Sequence, residues 1–122
     1  MNALIELSND IHRFIILEVL LKTLERDQQH LNDLKMADVF NEWYTLKNNE
    51  TFEELKSVKS KLYKAGCKIE KGKNDGAFTE YIIVIRGKTE TKRYSNIALR
   101  NWVREETKRL LNMSYHTPAD RK

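Results

Sequence analysis

The sequence predicts an α+β fold made of three N-terminal helices, a small three-stranded antiparallel β-meander and a C-terminal helix. Apolar residues recur every three or four positions up to Ala65 and again after Ser95, whereas between Cys67 and Tyr94 the period is two. The 122 residues hold no linker, repeat or low-complexity tract, so one domain is expected over 1–113, with a flexible tail over 114–122.

The first helix is expected from Ala3 to Arg26. Leu4, Leu7, Ile11, Phe14, Leu17, Leu21 and Leu24 form its stripe, and Ile15, Ile16, Val19 and Leu20 fall outside it. A helix apolar around most of its girth belongs in the middle of the core. The second helix is expected to start at Asn32 or Asp33 and to end at Asn48 and Asn49, with Met36, Val39, Phe40, Trp43, Tyr44 and Leu46 facing inward. Thr51 and Glu54 read as a capping box that starts a third helix over 52–65, closed by Gly66, with Phe52, Leu55, Val58 and Leu62 inward.

Cys67 to Lys71 alternates as a short strand, and Gly72 to Gly76 is turn-like. Phe78 to Arg86 carries Tyr81, Ile83 and Ile85 on one face and Phe78, Ile82 and Val84 on the other, so it is expected at the centre of the sheet. Gly87 and Lys88 suit a two-residue hairpin turn, and Thr89 to Tyr94 returns as a polar edge strand. Ser95 or Asn96 caps a last helix reaching about Asn112, with Leu99, Trp102, Val103, Leu110 and Met113 buried. The order of elements over Asn32 to Tyr94 resembles a winged-helix module in outline, with the second and third helices as the helix-turn-helix pair and the hairpin as the wing.

Catalytic signatures are lacking. GxGxxG, Walker A, GxSxG and HExxH patterns do not occur, and His12, His30 and His116 have no second cysteine with which to build a zinc site. Cys67 follows a helix cap at the start of a half-buried strand, where packing explains a small apolar residue. Glu106 falls in the middle of the last helix's apolar face. An unpaired carboxylate there is costly, so a partner such as Lys59 or Arg13 is expected.

A single cysteine excludes an intrachain disulfide, the first ten residues lack the basic cluster of a secretory signal, and the longest apolar run is too short to span a bilayer. A cytoplasmic protein with no membrane contact, no cofactor and no evident small-molecule substrate is expected. Its charge is divided. Residues 1–55 carry five Lys/Arg against eleven Asp/Glu, and residues 56–109 carry fifteen against six.

Lysine and arginine beside small hydroxyl residues on a helix suit phosphate contacts. The candidate nucleic-acid-binding set is therefore Lys56, Ser57, Ser60, Lys61 and Lys64 on the third helix, Lys73 and Lys88 in the hairpins, and Arg100, Arg104 and Lys108 on the last helix. The last three form an i, i+4 ladder of like charges, which costs roughly 0.2–0.5 kcal/mol per pair unless something offsets it. The reading is a small non-enzymatic binding or regulatory protein that takes nucleic acid. The alternative is a protein-interaction module or homodimeric adaptor, and self-association is expected because apolar surface exceeds the places that can hide it.

Overall fold

The computed structural model describes residues 3–113, and the expected tail lies outside the described residues. Four helices and a three-stranded antiparallel sheet give the α+β class anticipated above. They are α1 (Ala3–Glu6), α2 (Ser8–Gln28), α3 (Ala37–Lys64), β1 (Cys67–Asn74), β2 (Phe78–Ile85), β3 (Lys88–Ser95) and α4 (Asn96–Leu110). The sheet order is β1-β2-β3, a meander with β2 in the centre.

Helix α2 is the axis of the molecule. Ile15, Ile16 and Leu17 are consecutive and fully buried, which a helix permits only when neighbours surround it. Here α3, α4 and the sheet supply that cover, through Leu62, Tyr81, Ile83, Ile85, Leu99, Val103 and Leu110.

The N-terminal helices divide differently from the sequence reading. The first is broken at Leu7 into α1 and α2. The expected second and third helices are one continuous α3, so the turn that a helix-turn-helix pair needs between Asn48 and Thr51 is missing. Local propensity here yields to tertiary contacts. Asn48 donates its side-chain amide to Gln28 Oε1 of α2 at 2.7 Å, and Gln28 Nε2 in turn bonds Asn41 Oδ1 and Thr45 Oγ1, both at 2.9 Å. Thr51, read as a cap, is only 3% exposed and packs in the middle of the helix.

Fusing the two segments also fixes a single inward stripe. Leu55, Val58 and Leu62 lie on it, whereas Met36, Val39, Phe40, Leu46 and Phe52 turn out to be exposed rather than inward. At about 100° per residue, one uninterrupted helix cannot bring both predicted faces onto α2.

In the sheet, β2 alternates as expected, with Thr79, Tyr81, Ile83 and Ile85 buried. Tyr81, Ile83 and Ile85 join the core shared with α2, α3 and α4, while Phe78 is exposed and Ile82 and Val84 are half-buried. Helix α4 thus packs on the same face as α2, and among the described residues no helix covers the second face. The hairpin turn is Arg86-Gly87, one residue earlier than expected, because Ile85 pairs with Lys88. Both turn residues have positive φ, 50° and 85°, the signature of a type I′ turn. Ser95 caps α4, its Oγ accepting from the Ala98 N–H at 3.3 Å, as anticipated. Met113 lies beyond that helix and is exposed, so it does not join the buried face.

Candidate nucleic-acid interface

Helix α3 runs alongside α2 and ends at Ala65-Gly66, where the chain reverses into β1. Gly66 has φ +79°, a left-handed conformation that suits glycine at a helix end. The Arg86 N–H donates to the Gly66 carbonyl at 2.9 Å, which pins the β2–β3 turn against the end of α3. The Arg86 stem lies close over the glycine: its Cγ would be 3.2 Å from a Cβ placed there.

This contact gathers one basic corner. Lys56, Ser60 and Lys64 follow at i, i+4 and i+8 along the outer side of α3, and Arg86 and Lys88 come from the turn beside its last residue. All five are exposed. Among the described residues no carboxylate pairs with Lys56, Lys59, Lys64, Arg86 or Lys88. Lys61 is also exposed but salt-bridges Asp10 of α2 at 3.4 Å, and Ser57 is exposed beside it.

The remaining candidates sit elsewhere. Lys73 is near the opposite end of the sheet, about 20 Å along the strands from Lys88. Arg100 lines a groove at the start of α4 together with Lys71. Arg104 is exposed on α4, and Lys108 is half-buried and held by Glu105 at 3.6 Å. The ten positions therefore form one compact group, on α3 and the β2–β3 turn, and several separate ones. Arg86 counts among the basic residues of the hairpin in the sequence but lies outside the ten candidate positions, and the turn placed one residue late hid its place at the tip. The Arg-Gly pair directly after an apolar run is the signal that locates it.

The acidic first half contributes Glu54 to an internal network. Arg13 of α2 binds Glu54 of α3 at 2.7 Å and hydrogen-bonds Glu106 of α4, and Arg109 binds Glu106 at 2.8 Å. One network thus ties the three long helices together, and Glu106 has the arginine partner that its place on an apolar face demanded. Burial raises the Glu106 pKa, but hydrogen bonds from Arg109 and Arg13 outweigh it and hold the carboxyl below its ordinary value.

A second polar cluster lies between α2, α4 and β3. His12 Nδ1 is 3.2 Å from the Tyr94 hydroxyl, and the Trp102 ring stands edge-on to the imidazole at 4.5 Å. Burial pushes Tyr94 up to about 12, and burial with Lys92 and Arg13 lowers His12. A neutral phenol donating to a neutral imidazole fits both shifts. Among the described residues, no group of three or more His, Cys, Asp or Glu side chains could hold a metal ion, and no helix is long and apolar enough to cross a membrane.

Fold and surface together define a small α+β protein whose most distinctive charged feature is a corner of unpaired cations. The chain belongs to the YhjD protein family, whose model matches residues 6–115. No curated protein and no solved structure matches it significantly.

Proposed function

We propose that this is a small non-enzymatic protein that binds nucleic acid through the basic corner of α3 and the β2–β3 turn. The observation that carries the reading is Arg86. It occupies a left-handed conformation, φ 50°, at a position where Asn or Gly is at ease and where another L-residue costs about 1 kcal/mol or more. An arginine held there, beside Lys64 and Lys88 and without a carboxylate partner among the described residues, suits a phosphate contact better than it suits the turn. Ser57 and Ser60 add hydroxyl donors on the exposed side of α3.

The test is a gel shift against mixed DNA and RNA with the Lys64→Glu, Lys88→Glu double variant. Both side chains are exposed, so the circular dichroism spectrum stays native while binding is lost. Undiminished binding by the folded variant would remove this corner from the interface.

A further inference from the structure

We infer that the N-terminal half of α3 and the outer side of α4 form a two-fold interface with a second copy of this chain. Val39, Phe40, Trp43 and Tyr44 of α3, with Thr107 and Leu111 of the α4 end, line an apolar groove of about 320 Å³. Around it Met36, Val39, Phe40, Leu46, Leu111 and Met113 are each between 47% and 61% exposed. Met36, Val39, Trp43 and Leu46 follow the i, i+3, i+7, i+10 spacing of a helix–helix seam; Trp43 also packs on the core, whereas Met36, Val39 and Leu46 are left exposed. Six side chains half-exposed at roughly 200 Å² each present about 600 Å² of apolar surface. The polar rim brings this near the ~800 Å² per partner of a standard interface.

Charge selects the occupant. On the α3 side the outward charged residues are Asp38 and Glu42; on the α4 side it is Arg104. Asp38, Glu42 and Arg104 are exposed and form no ion pair among the described residues. A two-fold axis through the groove lays the α4 of each protomer on the acidic rim of the other's α3, so one surface satisfies itself twice. This also gives Arg104, the middle member of the like-charge ladder, a facing carboxylate that offsets part of its repulsion. Arg104 then belongs to the dimer and the α3 corner to nucleic acid, and neither proposal depends on the other.

Sedimentation velocity on the full chain between 1 and 100 µM tests it, with two charge reversals, Arg104→Glu and Glu42→Arg. The wild type is expected to sediment with twice the chain mass in the upper part of this range. Each reversal alone weakens the dimer by about tenfold, and an equimolar mixture of the two recovers it, because both contacts are then oppositely charged again. Val39→Lys, at a position 54% exposed, is expected to dissociate the dimer while the protein stays folded. A wild type that remains one chain at 100 µM would overturn the inference. So would a mixture that sediments no faster than its separate components.

Discussion

Replacing Glu106 with Gln probes the network that ties the helices together. The Glu106 side chain is 5% exposed and accepts from both Arg13 and Arg109. Gln keeps the shape but leaves two guanidinium groups facing a neutral amide. Breaking a fully buried ion pair costs about 3–5 kcal/mol. Two features lower that figure here: Arg13 is 25% exposed and Arg109 36%, and Arg13 keeps Glu54 at 2.7 Å. A loss of about 2 kcal/mol at pH 7 follows, equivalent to a fall of roughly 8 °C in Tm for a domain of this size.

The pH dependence supplies an independent sign. Because the folded carboxyl titrates below its ordinary value of 4.5, its contribution is present in full above that value and is lost as pH falls through the lower folded value. Gln does not titrate, so the wild-type and variant melting temperatures converge in acid. Thermal melts followed by circular dichroism at pH 7, 5 and 3 decide it. A drop of less than 2 °C at pH 7, or a gap that stays constant into acid, would refute the network's assigned weight.

Two further substitutions test other parts of the account. Thr51→Val keeps the shape of a side chain that is 3% exposed in the middle of α3, so stability is expected to change by less than about 0.5 kcal/mol. A capping role would instead give a loss of about 1 kcal/mol, and a denaturant midpoint separates the two. Arg86→Asn relieves a left-handed arginine and raises Tm by a few degrees, while the salt slope of nucleic-acid binding falls by about one, the signature of one lost phosphate contact.

The central strand, the meander and the last helix were legible because their signals are local: alternation in Tyr81 to Ile85, a serine cap at Ser95, an apolar stripe through Leu99 and Val103. The burial of α2 was legible too, since Phe14 to Leu17 leaves no polar side. Helix α3 was not. Asn48, Asn49 and Thr51 together mimic a helix end followed by a cap, and only the bond from Asn48 to Gln28, twenty residues away, reveals that the helix continues. That one misplaced break carried the error in which side chains of Met36 to Phe52 face the core. It concealed the exposed apolar groove as well.

The candidate interface was half legible. Lys56, Ser60, Lys64 and Lys88 were identified by composition and spacing, but their grouping depends on the contact between Arg86 and Gly66, which no local pattern encodes. Arg100, Arg104 and Lys108 carry the same composition signal and lie apart from that corner, since sequence registers charge without its position in space.

The most direct test of the central claim is the salt dependence of nucleic-acid affinity. Four cations of the corner, Lys56, Lys64, Arg86 and Lys88, each neutralising one phosphate, predict that log K falls with log salt concentration at a slope of about −3 to −4 on duplex DNA. Fluorescence anisotropy between 50 and 200 mM salt measures it. A slope in that range, reduced by about two in the Lys64→Glu, Lys88→Glu variant, is the result the account predicts; no binding at 50 mM salt, or binding whose strength does not change with salt, would contradict it.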